Sequence, residues 1–78
     1  MTAARFHITV DKSEIIYLNA VLDSYEGLAI MRTTDERTGS VIMYTSKAQE
    51  ENLNKLLNAL QAEGLRLSLH KIDYTDSI

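Results

Sequence analysis

The 78-residue sequence contains no cysteine, no proline and no tryptophan. Without cysteine there is no disulfide framework, and iron–sulfur clusters, thiolate zinc sites and cysteine nucleophiles are excluded. No segment reaches the roughly 18 consecutive apolar residues of a membrane span, and the N-terminal residues lack the basic and apolar regions of an export signal. We therefore expect a cytoplasmic protein that does not act at a membrane.

Positive charge is also scarce. Eight basic residues stand against eleven acidic ones, which gives a net charge of −3, the wrong sign for a domain that neutralises phosphates as its main task. Only Phe6 and Tyr44 are aromatic in the strands where RNA-recognition motifs stack bases, and Phe6 belongs to an apolar strand face. We do not expect nucleic acid as a partner.

Leucine, isoleucine, valine and phenylalanine account for 21 residues, which is enough for a folded chain. The core is nevertheless small. A domain of this length buries roughly 60% of the surface of its unfolded chain and rarely gains more than about 3–5 kcal/mol without a disulfide, a metal or a partner. Self-association is the source of stability that the composition leaves open.

The first half of the chain predicts a strand followed by a helix. Ala4–Val10 alternates apolar and polar residues, as in a half-buried strand. Asp11 and Glu14 are spaced as a capping box, so a helix is expected to start at Lys12 and to end at Gly27. Its apolar stripe contains Ile15, Leu18, Val21, Leu22 and Tyr25.

The middle of the chain predicts a hairpin of two strands, Leu28–Thr34 and Val41–Thr45. Gly39 is expected to close its loop in the left-handed conformation. The hairpin tip Asp35–Arg37 is charged, which suits either solubility or the steering of a partner.

The last third predicts a second helix and a fourth strand. Ser46 or Thr45 caps the helix and Gly64 ends it. The strand begins at Leu65 and runs to Ile72 or Tyr74, followed by a loose tail within residues 73–78. The apolar stripe of the helix contains Leu53, Leu56, Leu57 and Leu60.

The element order strand, helix, strand, strand, helix, strand predicts one α+β domain with the ferredoxin-like βαββαβ plan. Strands one and three should be central in an antiparallel four-stranded sheet, with two helices on one face. A two-layer domain with another strand order is the alternative. The predicted core consists of Phe6, Ile8, Leu18, Leu22, Leu53, Leu56, Leu60, Leu67 and Leu69.

This plan serves many functions, so function has to be argued from a site. Copper-chaperone domains need cysteines after strand one, and acylphosphatases need a glycine-rich phosphate loop there; Asp11–Ser13 offers neither. ACT-type amino-acid sensors share the plan and the length, although they have a glycine at this loop. An ACT-like sensor, with its ligand at a subunit boundary, remains the alternative function.

A closer resemblance involves Leu18–Ala29, Arg32–Asp35 and Gly39, with Tyr25–Leu28 and Thr34–Asp35 as its most specific parts. These segments resemble a family of short bacterial proteins known as domain of unknown function 4911. The resemblance implies a bacterial, stand-alone small domain, and it supplies no catalytic residue.

Few residues could carry chemistry. His7 and His70 should share the helix-free face of the sheet as possible cross-strand neighbours, but no carboxylate joins them in the pattern, so we predict no metal site. No serine lies in a recognisable nucleophile motif, and we predict neither an enzyme nor a cofactor. The weak candidates for binding a ligand are Asp11, Ser13, Tyr25 and Glu26. A structural role for Tyr25, closing the end of the core, is the ordinary interpretation.

We therefore expect a non-enzymatic module that associates with itself, as a dimer joined through its sheet. Strand two carries Arg32 as its single charge, whereas the opposite edge is guarded by charged and polar residues. The open sheet face should also carry Ile72, together with Met31 or Ile30 and Met43 or Ile42. Either pairing of strand two with its twin or stacking of the open faces would cover these groups, and an interface that includes strand two is favoured. The predicted interface consists of Met31, Arg32, Met43 and Ile72.

Overall fold

A computed structural model describes residues 2–76 and shows the predicted element order. The strands form one antiparallel sheet in the order β2-β3-β1-β4, and short 3-10 turns, Lys12–Glu14 and Lys47–Gln49, lead into the helices. The ferredoxin-like α+β fold class is thus confirmed. The elements are β1 (Ala3–Val10), α1 (Ile15–Asp23), β2 (Ile30–Asp35), β3 (Ser40–Ser46), α2 (Glu50–Ala62) and β4 (Leu67–Thr75).

The core lies between the helices and one face of the sheet. Alternation on β1 and β3 buries every second side chain, among them Phe6 and Met43. Leu18 and Leu22 of α1 pack on this face, and α2 adds Leu53, Leu57 and Leu60.

Two residues of the predicted core are less buried than expected. Leu56 packs against the core from the margin of the helix stripe and is only partly buried. Leu69 pairs with Ile8 and so lies on the core side, but it is 37% exposed. The prediction of a buried Leu69 was wrong because β4 is an edge strand.

A β-bulge interrupts the pairing of β1 with β4. Ile8 lies opposite Leu69 and His7 lies opposite Lys71, so His70 is the extra residue of β4. The expected cross-strand pair of His7 with His70 is therefore wrong. Beyond the bulge, Ile72 lies opposite Phe6 and packs against the core.

The first helix begins and ends differently from its prediction. The Asp11 carboxylate accepts from the backbone N–H of Ser13, at 3.1 Å, instead of from Glu14. The α-helix then ends at Asp23, with Ser24 as its C-cap. Gly27 lies further on, in the turn before β2.

The strand after this turn starts at Ile30, two residues later than predicted. The hydroxyl of Thr45, a buried residue, donates to the Leu28 carbonyl at 2.7 Å. This side-chain bond ties the segment before β2 to β3.

Gly39 closes the hairpin with φ of +74°, as predicted. Its carbonyl accepts from the Val10 N–H at 2.9 Å, and a Cβ at this position would overlap the Val10 carbonyl oxygen. Glycine is therefore required both for its conformation and for the close approach of two backbones.

The last strand continues to Thr75, so the loose tail predicted from residue 73 is wrong for Asp73–Thr75. Two side chains hold this stretch in place. Asp73 accepts from Arg5, and the Tyr74 hydroxyl donates to Glu50 of α2 at 2.9 Å. Residues 77–78 of the predicted tail lie outside the described residues.

Candidate functional site

The side of the sheet that faces away from the helices is the first candidate site, and we call it the open face. The strand registers place the side chains that alternate with the core on this surface. Its central members are Arg5, His7, Thr9, Ile30, Arg32, Ile42, Tyr44, Lys71 and Asp73.

One half of the open face, on β1 and β4, is charged. Asp73 accepts from Arg5 Nε at 2.6 Å and lies 3.0 Å from His7 Nε2, while Lys71 Nζ is 3.9 Å away. The hydrogen bond from Arg5 is the main cause that lowers the pKa of Asp73, and it raises the pKa of Arg5. Asp73 is therefore held as a carboxylate that joins the two strands.

The two histidines have different partners on this half. His7 lies against Asp73, whereas His70 Nε2 is 2.7 Å from the Thr9 hydroxyl. Within residues 2–76, no three histidine or acidic side chains group in a way that could hold a metal ion. The bulge takes His70 out of register with His7. Each ring therefore has its own partner, Asp73 for His7 and Thr9 for His70.

The other half of the open face carries an apolar strip, defined as Ile30, Ile42 and Tyr44. Ile30 of the edge strand lies directly opposite Tyr44, and Ile42 follows on the same face of β3. Ile30 is 58% exposed. The strip therefore reaches the outer edge of the sheet.

The structure corrects the predicted interface. Arg32 lies on the open face, opposite Ile42, but the side chains of Met31, Met43 and Ile72 belong to the core side. The reason is the register. Met31 pairs with Met43, which is fully buried, and the bulge in β4 brings Ile72 onto the side of Phe6.

A second candidate site, which we call the end cleft, lies where three loops meet at one end of the sheet. The Asp11 N–H donates to the Arg66 carbonyl at 3.0 Å, and the Val10 N–H donates to Gly39. These bonds join the loop after β1 to the hairpin and to the segment before β4. The cleft has a volume of about 410 Å³, and its polar lining is Thr9, Asp11, Lys12, Arg37, Thr38, Arg66 and Ser68.

The four predicted ligand candidates do not form one site. Asp11 lines the end cleft, whereas Ser13 uses its hydroxyl to donate to Asp11 at 2.9 Å. Tyr25 and Glu26 line a separate groove of about 450 Å³ beside α2. Tyr25 is 49% exposed, so it does not close the core as expected.

The cations of the end cleft were missed because they are far apart in the sequence. Arg37 lies in the hairpin tip and Arg66 precedes β4. The predicted topology contained the necessary signal, since antiparallel partners of β1 must begin where β1 ends. All three loops at that end contain a basic residue, and the third is Lys12.

Comparison with known families gives one match. The sequence profile of the family described as Domain of unknown function (DUF4911) matches residues 8–63. The chain belongs to this family. The DUF4911 segment runs from β1 to the end of α2 and contains Lys12 and Arg37 but not Arg66.

No curated protein and no solved structure matched the chain. Among residues 2–76, no helix has the length and apolar character needed to cross a membrane. The DUF4911 description assigns no activity to any residue, so the function has to be inferred from the open face and the end cleft.

Proposed function

We propose that this DUF4911 chain is a non-enzymatic interaction module that forms a homodimer through the outer edge of β2. The observation that carries the proposal is the exposure of Ile30 on this edge strand. An edge strand presents unpaired backbone N–H and C=O groups, and a second copy can pair with them. Ile30 adds apolar surface that such pairing would cover.

The two edges of the sheet differ in how they resist pairing. The β4 edge contains the bulge at His70 and the charges of Lys71 and Asp73, which are common ways to block an edge. The pairing of β2 with β3 also shifts register, between Thr33 and Asp35, but only at the end of the strand. It is regular from Ile30 to Thr33, and this stretch carries one charge, Arg32. The β2 edge is therefore the better one for pairing.

A two-fold axis between two β2 strands would join the two sheets into one antiparallel sheet. An axis at Met31 is the favoured register, because it places Arg32 beside Ile30 of the second copy. An axis at Arg32 would set like charges opposite each other. The arrangement is closed and brings the two apolar strips side by side.

Dimer formation would also support a small core. The chain has no cysteine for a disulfide, and a core of this size is only marginally stable by itself. Association links folding to protein concentration, because a partner that binds the folded chain adds to its stability. We infer a bacterial, cytoplasmic protein that functions as the dimer.

Light scattering at micromolar concentration tests the proposal. The wild-type chain should have the mass of two chains, and Ile30→Lys should have the mass of one, since each new lysine would lie opposite Arg32 of the second copy. The matched control is Ile16→Lys, at an exposed isoleucine of α1 (85% exposed), and it should remain a dimer. A wild-type mass of one chain, or a dimer in Ile30→Lys, contradicts the proposal.

A second candidate function is small-molecule sensing, and the end cleft favours it. The loop after β1 does line a concave site, with Asp11 in its wall. A thermal-shift screen of amino acids and nucleotides separates the two functions, because a ligand of the folded state raises the melting temperature. A pure interaction module should show no shift with any of these compounds.

A further inference from the structure

Positive charge is concentrated at the end cleft of an otherwise acidic chain. Three of the eight basic residues, Lys12, Arg37 and Arg66, line it, together with one carboxylate, Asp11. The cleft lining therefore carries two net positive charges, while the whole chain carries −3. This distribution attracts anions to one place on the surface.

These cations are available to a ligand. Among the described residues, neither Lys12 nor Arg66 makes an ion pair within 4.0 Å. Arg37 is 92% exposed, and its Nε lies 3.6 Å from Asp35, a distance longer than a hydrogen bond. An anion in the cleft would therefore not have to break a strong existing pair.

Asp11 does not neutralise the cleft by direct contact. Its Oδ1 accepts from both the backbone N–H and the hydroxyl of Ser13. These two bonds are the main causes that lower the pKa of Asp11, and the charges of Arg66 and Lys12 lower it further. Arg66 and Lys12 are therefore close enough to Asp11 to act on its charge, while the Oδ1 of this carboxylate is already engaged by Ser13.

The walls of the cleft are held together by backbone hydrogen bonds. The bonds Val10 to Gly39 and Asp11 to Arg66 fix the three loops relative to β1. A binding site whose walls are fixed before the ligand arrives loses less entropy on binding. Ser68 adds a hydroxyl beside the cations, whereas the hydroxyls of Thr9 and Thr38 already bond to His70 and Ser40.

We propose that the end cleft binds a small molecule through a phosphate monoester group. Such a group carries about −1.5 to −2 charges at neutral pH, which balances the two net positive charges of the lining. Guanidinium groups such as those of Arg37 and Arg66 bind phosphate oxygens in pairs of parallel hydrogen bonds. The volume of about 410 Å³ exceeds that of the phosphate alone and leaves room for a small organic body.

This inference rests on the second candidate function and is independent of dimer formation. A dicarboxylate is the competing ligand class, since it also carries two negative charges. Its charges lie on two separate groups, whereas the three cations line one cleft. The phosphate monoester is therefore the better match.

The test is a calorimetric titration of the full chain with glycerol 3-phosphate, and with succinate for comparison, at constant ionic strength. Glycerol 3-phosphate should bind, and Arg66→Gln should weaken its binding by about tenfold or more, as expected for loss of a charge-assisted hydrogen bond. The matched control is Lys55→Gln, an exposed cation of α2 with the same change in net charge. It should change the affinity by less than about twofold. Amide NMR shifts on titration should appear at Asp11, Gly39 and Arg66.

Three results would overturn the proposal. One is the absence of binding, another is an equal effect of Lys55→Gln and Arg66→Gln, and the third is tighter or equal binding of succinate. If an amino acid binds in the thermal-shift screen and glycerol 3-phosphate does not, the sensor function stands and the proposal of a phosphate monoester ligand is wrong. If no compound binds in either the thermal-shift screen or the titration, the sensor function is contradicted as well.

Discussion

Different interactions determine which residues occupy the two faces of the sheet. On β1, the residues Phe6, Ile8 and Val10 are buried under the helices, while Arg5 and His7, which alternate with them, remain half-exposed. On the covered face, burial of apolar area decides which residues are present. On the open face, the cross-strand register decides which side chains meet, as for Asp73 with Arg5.

The two halves of the open face also differ, in whether their side chains have partners within one chain. The side chains of its charged half have partners within one chain, because Arg5, His7 and Lys71 each lie close to Asp73. Its apolar strip ends at Ile30, where nothing within the described part of the chain covers the strand edge. The proposed dimer would cover the strip and leave the charged half as it is in one chain.

The largest expected effect concerns the covered face. Leu53→Ala removes a fully buried side chain between sheet and helices and should lower the free energy of unfolding by about 2–5 kcal/mol. Ile16→Ala, at an exposed position of α1, should change it by less than about 0.5 kcal/mol. Denaturant titrations of both variants provide the measurement, and equal effects would refute the assignment of the core.

A smaller effect is expected where the hairpin contacts the end of β1. Gly39→Ala should cost about 2 kcal/mol or more, because a left-handed alanine is strained and its Cβ would overlap the Val10 carbonyl. Gly27→Ala shares the positive φ, but its Cβ would have open space, and it should cost about 1 kcal/mol. Thermal unfolding compares the two variants. Equal losses would mean that the close approach of Gly39 to Val10 contributes nothing.

The charged half of the open face should make stability depend on pH in acid. The pKa of Asp73 is lowered from 3.8 in the folded chain, mainly by the bond from Arg5. Below about pH 3.8 the unfolded chain takes up this proton more readily than the folded one, so stability is lost as pH falls through the lowered pKa. Above that range the contribution is complete.

Asp73→Asn should therefore flatten the acid side of the stability curve, measured by urea titration between about pH 2 and pH 6. Arg5→Gln should have the same effect, since the guanidinium is the main cause of the shift. The slope from Asp11, whose pKa is also lowered, should remain in both variants. An unchanged acid slope in Asp73→Asn would contradict the role given to this ion pair.

The element order and the covered face could be predicted from the sequence because they follow from local periodicity. Leu18 and Leu22 recur at helical spacing, and Phe6 and Ile8 alternate as in a strand. The conformation of Gly39 could also be predicted, because a hairpin loop of this length needs a residue in the left-handed conformation.

The open face could not be predicted at the same level because it depends on contacts between strands. Whether Ile30 or Met31 faces outward is decided by pairing with β3, and the local sequence is compatible with either. The face of Ile72 is set by the bulge at His70. The end cleft was missed because Arg37 and Arg66 come together only in the folded chain.

Hydrogen exchange at two protein concentrations tests the central claim, the pairing of β2 with a second copy, most directly. Amides of β2 between Ile30 and Thr33 that point away from β3 should be protected at high concentration and lose protection on dilution. Amides of Lys71–Tyr74 on the opposite edge that point away from β1 should exchange at the same rate at both concentrations. Protection of the β2 amides that does not change with concentration, or a change confined to β4, would contradict the account.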